Sequence, residues 1–268
     1  MIIDSHVHFG SSCGFDMKKE YVLYAMEHYG ISKMLVSNCE SAECDHEQNR
    51  LPAEFQVPQL VSAERAVNFA RDNPGKIYAS IWLKPLNEEC DPRLQMFIKG
   101  NLDVIRALKF HPYHSAVPFD DPRIESYMDL AETYELPVIT HTGSSNCDNV
   151  DRVLRMAKRH PKVKFIMAHL GLGTDNQRAI EIAAEVPNIY GDTAWVPMLS
   201  TIQFINQVGP DKLLFGSDTP IDGPDTYAQN RMGQRSMYQD YFNELPKYIS
   251  KENYDKLMYK NAQKIFGL

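Results

Sequence analysis

Val163-Lys164-Phe165-Ile166-Met167-Ala168-His169-Leu170-Gly171 is a short, almost continuously apolar run that closes on a histidine and a glycine. Its length and lack of alternation suit a strand covered on both faces, as in a parallel sheet. Working outward, the same pattern recurs. Residues 137–143, 188–193 and 212–218 read as further strands, with helical stretches at 148–160, 174–185 and 198–208 between them. In the first half, strands are expected at 2–10, 33–38, 76–83 and 104–111, and helices at 17–29, 62–71, 91–99 and 122–134. Two closing helices are expected at 236–245 and 250–266. Eight strands alternating with helices predict an α/β chain closed into a (β/α)8 TIM barrel, a single domain over 1–268. A doubly wound open sheet is the alternative, weakened because no G-x-G-x-x-G follows the first strand.

Composition narrows the function class. At 268 residues and 43% hydrophobic, the chain can bury the core of one barrel. A net charge of −7, with no basic stripe interleaved with aromatics, gives no support for nucleic-acid binding. No apolar run reaches the roughly 18 residues that cross a membrane. The five cysteines show no C-x-x-C spacing and read as reduced thiols. Met1 leads straight into the first strand without a leader pattern, so a cytoplasmic protein is expected. A homodimer is compatible with this reading.

The polar residues gather where barrel enzymes keep their chemistry. Of nine histidines, His6, His8, His111, His141 and His169 fall at the C-terminal ends of predicted strands. His28, His46, His114 and His160 fall on helices or loops. In Asp4-Ser5-His6-Val7-His8, period-2 alternation places Asp4, His6 and His8 on one face. Asp4 is therefore expected to orient an imidazole. By the same rule Ile139 lies below His141, Met167 lies below His169, and Lys109 shares a face with His111 while Leu108 and Phe110 face the helices. Asp218 ends the apolar run of the eighth strand. Imidazoles and a carboxylate from several strands suit a divalent ion, with Zn²⁺ the expected one. Such an ion pulls the pKa of its water to about 7.

In this order, Asp4-Ser5-His6-Val7-His8, Lys109-Phe110-His111-Pro112, Thr140-His141-Thr142-Gly143, Ala168-His169-Leu170-Gly171 and Phe215-Gly216-Ser217-Asp218-Thr219-Pro220 resemble the amidohydrolase superfamily. The chain looks most like the branch holding aminocarboxymuconate-semialdehyde and resorcylate-type decarboxylases. The tail 261–268 is also similar to that branch's closing helix. The resemblance implies that His6, His8, His141 and Asp218 bind metal, with His169 and Asp218 catalytic. One ion is expected. The binuclear alternative adds His169 and a carboxylated Lys109 as ligands.

Two reactions fit these groups. The leading expectation is hydrolysis of an ester, lactone or amide by metal-bound hydroxide, with Asp218 moving the proton. The alternative is non-oxidative decarboxylation of an aromatic or muconate-type acid, and a metal-binding barrel without turnover stands behind both. Trp82, Lys84, Lys109, His111, His114, Trp195 and Arg231 are the expected pocket residues, with Arg235 beside Arg231 on a loop. Lys109, His111 and Arg231 point to a small anionic substrate bearing a carboxylate. The charged loop at 39–60 is expected to act as a lid, to hold a second ion, or merely to be solvated.

Overall fold

The computed structural model describes residues 1–222 and 237–268. Nine strands form one sheet: β1 (Ile3–Ser12), β2 (Phe15–Met17), β3 (Lys33–Asn38), β4 (Ile77–Trp82), β5 (Ile105–Phe110), β6 (Val138–Gly143), β7 (Phe165–Leu172), β8 (Ile189–Asp192) and β9 (Leu213–Leu214). The order is β2-β1-β3-β4-β5-β6-β7-β8-β9, and every pair from β1 to β9 is parallel. Helices Lys19–His28, Gln59–Asp72, Pro92–Gly100, Glu125–Thr133, Val150–Arg159, Gln177–Glu185 and Met198–Gln207 connect successive parallel strands. Two of them start on a side-chain cap: Asp91 accepts the Leu94 N–H at 2.9 Å, and Asn149 accepts that of Asp151.

The chain after β9 closes the ring. Ser5 donates its N–H to the Phe215 carbonyl at 3.0 Å, Asp218 donates to His6 at 2.8 Å, and His8 donates to Thr219 at 2.8 Å. This seam explains why only Leu213–Leu214 of the expected 212–218 strand pairs with β8. The Phe215 carbonyl and the Asp218 N–H turn to β1 instead. The sheet is thus a barrel, as the strand rhythm predicts. The ninth strand, β2, is the one the sequence reading missed. It folds back antiparallel on Gly10–Ser12 beyond the barrel rim, and it takes Met17 from the expected helix. No helix among the described residues is long and apolar enough to cross a membrane.

Two apolar layers hold the barrel. Its interior is filled by Ile3, Leu35, Ala107, Ile139, Ile166, Ala168 and Leu214, with Ala262, Ile265 and Phe266 of the last helix packed on the same cluster. The outer layer lies between strands and helices and includes Val7, Val36, Ile81, Leu108, Phe110, Val138 and Met167. Leu108, Phe110 and Ile139 face as alternation predicts. Met167 does not. It belongs to the outer layer, while Ile166 and Ala168 point inward, because His169 and Leu170 are left-handed (φ 68° and 49°) and break the alternation there.

The closing segment also runs tight against β1. A Cβ built on Gly216 would stand 2.8 Å from the Cβ of His6, an atom that cannot swing away. Gly216→Ala is therefore expected to cost about 1–3 kcal/mol, read as a drop of several degrees in thermal midpoint. An unchanged midpoint would contradict this packing.

Candidate active site

The first strand brings His6 and His8 to the barrel's C-terminal end, but not by simple alternation. Pairing of β1 with β3 slips between Asp4 and Val7, three steps on one strand matching two on the other. That extra residue is a bulge, which re-aims the side chains around it. Asp4 consequently touches no imidazole ring. Its carboxylate accepts the N–H of His6 and of Ser217, each at 3.1 Å, and the hydroxyls of Ser217 at 2.6 Å and Tyr238 at 2.5 Å. It ties β1 to the closing segment. Burial pushes its pKa up to about 7.

His6 is oriented by Asp192, a residue the sequence reading did not single out. Asp192 ends β8, and its Oδ2 stands 2.8 Å from His6 Nδ1. Its Oδ1 accepts the N–H groups of His169 at 2.9 Å and Ala194 at 3.1 Å. Burial alone would raise the pKa of Asp192, but the charge and hydrogen bond of His6 outweigh it and hold it low. With Nδ1 donating to Asp192, His6 presents the Nε2 lone pair to the barrel axis. The available signal was an aspartate closing an apolar strand, at Gly191-Asp192-Thr193.

Around that lone pair the donors converge. His6 Nε2 lies 3.1 Å from His8 Nε2 and 3.3 Å from Asp218 Oδ1, and His8 Nε2 lies 3.1 Å from the same oxygen. Donors each about 2.1 Å from one tetrahedral ion stand about 3.4 Å apart, so this N₂O set has the spacing a single divalent cation needs. Asp218 Oδ2 accepts the Trp195 indole N–H at 2.7 Å. Burial would raise the Asp218 pKa, yet His6 and His8 overcome it and hold the carboxyl well below its usual range.

A second compact set joins His6, His169 and Asp192. There both oxygens of Asp192 are already engaged by hydrogen bonds, so the His6–His8–Asp218 set is the better cation site. His169 has Nδ1 at 3.0 Å from the Ala194 carbonyl, which fixes the proton on Nδ1 and leaves Nε2 unprotonated. Burial lowers its pKa to about 3. Left-handed backbone at His169, Leu170, Trp195 and Asp218 concentrates strain around these strand ends.

The other expected residues separate. His141 belongs to neither compact set among the described residues. Its Nε2 stands 3.5 Å from Asp148 Oδ2, and its ring stacks on His111 at 3.9 Å. Asp148, buried and hydrogen-bonded to Ser145, was not anticipated. Lys109 is fully buried beneath the cluster, with Nζ 2.9 Å from His6 Nε2, and burial brings its pKa down to about 8. It does not line the cavity. Lys84 is elsewhere, its amine held by Gln56 and the Val57 carbonyl. Arg231 and Arg235 lie outside the described residues.

Above the cluster opens a cavity of about 720 Å³. Trp82, His111 and His141 form one wall of nearly parallel rings, stacked at 12° and 13°. Trp195, His8, His169 and Asp218 line its depth, and Phe15, Met17, His46, Tyr113 and His114 line its outer part. The 39–60 loop is part of this wall. Its Glu43 turns inward to accept the N–H groups of Asn87 and Leu86 at 2.8 and 3.2 Å, and no metal-holding set forms in the loop among the described residues. No lysine or arginine lines the cavity among the described residues.

A family model described as Amidohydrolase matches residues 3–268. The chain belongs to this amidohydrolase family. It is thus an enzyme of the amidohydrolase superfamily, and no curated protein matches it directly. A 2,6-dihydroxybenzoate decarboxylase solved with 2,6-dihydroxybenzoate shares 16% identity at a TM-score of 0.72, covering 100% of this chain and 99% of that one. A dihydroxybenzoic acid decarboxylase from Polaromonas sp. JS666, with bound manganese and the inhibitor 2-nitroresorcinol, shares 15% at 0.69 over 100% and 97%. A 4-oxalomesaconate hydratase from Rhodopseudomonas palustris shares 15% at 0.69 over 100% and 96%. At these identities the likeness establishes the fold of this amidohydrolase.

The role of Asp192 can be measured directly. Asp192→Asn should lower affinity for a divalent metal by about 10–100-fold in competition with a chromophoric chelator, with helical circular dichroism retained. Unchanged affinity would detach Asp192 from the metal site.

Proposed function

We propose that this amidohydrolase is a divalent-metal-dependent decarboxylase of small, planar hydroxy-acids, holding one ion on His6, His8 and Asp218. The observation that carries the reading is the ring-walled cavity that opens on this donor set and has no cationic side chain among its described lining residues. A flat substrate fits against stacked Trp82, His111 and His141. Its carboxylate would find its counter-charge in a cation held by the donor cluster. The solved decarboxylases with dihydroxybenzoate or manganese support the reading. Zinc suits the N₂O donors, and manganese is the ion of one neighbour.

A cation bound there supplies positive charge that draws in the carboxylate and acidifies an adjacent hydroxyl. The chain's own groups then move the proton. Asp218, ionised by its imidazole neighbours, accepts the proton of the hydroxyl beside the carboxylate. It returns that proton to the ring carbon as the bond to the carboxylate breaks and carbon dioxide leaves. The product departs as a phenolate of the same charge and takes its proton from water. Trp195 holds Asp218 in place through Oδ2, and neutral His169 borders the same space. Hydrolysis of an ester, lactone or amide is the second reading. It is favoured by the pairing of an ionised Asp218 with a neutral His169, the two states that accept a proton from water.

Carbon dioxide release from dihydroxybenzoates, assayed beside a panel of lactones and esters, separates the two. Release is expected from the acids, lost on chelation and restored by Mn²⁺ or Zn²⁺. Turnover of esters alone would transfer the site to hydrolysis. Asp218→Asn should lower activity at least about 100-fold while the barrel stays folded.

A further inference from the structure

The outer part of the cavity has an unusual polarity. His114, in the turn that follows β5, sets its ring 4.6 Å from that of His111 and lines the cavity. Its Nδ1 stands 2.9 Å from the Cys44 carbonyl. A carbonyl only accepts, so Nδ1 carries the proton. The His114 carbonyl in turn accepts the N–H groups of Glu43 at 2.9 Å and Cys44 at 2.7 Å, which locks this turn to the 39–60 loop. Burial lowers the pKa of His114 to about 4, so its ring is neutral at neutral pH. Nε2 then offers only a lone pair, it has no hydrogen-bond partner among the described residues, and it belongs to a side chain that lines the cavity.

Its neighbours are committed in the same way. His46 gives its Nε2 proton to the Cys13 carbonyl at 2.8 Å, and Tyr113 gives its hydroxyl proton to the His46 carbonyl at 2.7 Å. Both line the cavity beside His114. The ring and hydroxyl protons of His114, His46 and Tyr113 thus point into the backbone, and His114 and Tyr113 keep lone pairs for a ligand. Such a surface rewards a donor and disfavours a second carboxylate.

We propose that His114 Nε2 is a specificity-determining acceptor, reading a hydroxyl on the substrate at the end opposite the carboxylate that faces His6, His8 and Asp218. This rests on the decarboxylase reading and adds to it a substrate class: planar acids that carry a hydroxyl distal to the carboxylate.

The test compares 2,4,6-trihydroxybenzoate with 2,6-dihydroxy-4-methylbenzoate, which replaces the distal hydroxyl by a methyl of similar size. Carbon dioxide release by the manganese-loaded enzyme gives the ratio of kcat/KM for the pair. His114→Phe should reduce that ratio about tenfold, because intrinsic ring reactivity cancels between enzymes and one hydrogen bond is lost. His114→Gln, which keeps an acceptor, should hold the ratio closer to the wild type than Phe does. Should the Phe variant fail to fold, calorimetric Kd values of the two decarboxylated products, 1,3,5-trihydroxybenzene and 5-methylresorcinol, on the manganese-loaded wild type decide, with the trihydroxy compound expected to bind about tenfold tighter. Equal ratios in wild type and His114→Phe, or equal Kd values, with carbon dioxide still released from both acids, overturn the proposal alone. No carbon dioxide from either acid overturns the decarboxylase reading and the proposal together.

Discussion

A buried carboxylate between two histidines governs this site. Asp192 is sealed from solvent, and an ionised group so placed is costly unless its oxygens are fully engaged. Here they are engaged by the His6 ring and by the backbone N–H groups of His169 and Ala194. One side chain at the end of β8 therefore sets the tautomer of an imidazole on β1 and the path of the chain leaving β7. The lone pair of His6 points where His8 and Asp218 can share it because of that engagement. Any change in the position of Asp192 is felt on three strands at once.

The closure of the barrel has the same economy of parts. The segment 215–219 bonds to β1 rather than continuing a long ladder with β8, and Asp4 clamps the join from below. Asp218 leaves this seam in a left-handed conformation, which turns its carboxylate onto His6 and His8. Closing the ring and assembling the donor set are thus one event. Strain at His169, Trp195 and Asp218 persists because the surrounding hydrogen bonds over-determine those positions.

Over the donors, the cavity divides by polarity. Its depth is imidazole and carboxylate, its wall is a stack of rings, and its rim presents acceptors whose protons are fixed by backbone carbonyls. The 39–60 loop, which reads as a lid, a second ion site or a merely solvated stretch, takes part through its backbone. Glu43 is consumed in holding the loop after β4, and the Cys44 carbonyl sets the tautomer of His114. Charge in a sequence shows neither which way a carboxylate turns nor which carbonyl meets an imidazole.

The chain by itself determined the barrel, since most of its strands are short apolar runs and parallel strands buried on both faces need that composition. It also placed His6, His8, His169 and Asp218 at one end, because a strand's C-terminus is visible wherever apolar residues give way to polar ones. Orientation was legible only where alternation ran unbroken, as at Leu108, Phe110 and Ile139. It failed at Asp4, where a bulge adds a residue, and at Met167, where two left-handed residues follow. Asp192 and Asp148 were not legible, because their partners lie on other strands and no local spacing records them. The separation of His141 from the compact set and the burial of Lys109 beneath it were likewise decided by packing in three dimensions. Periodicity is local and survives in a sequence; hydrogen-bond partners between distant strands exist only once the ring has closed.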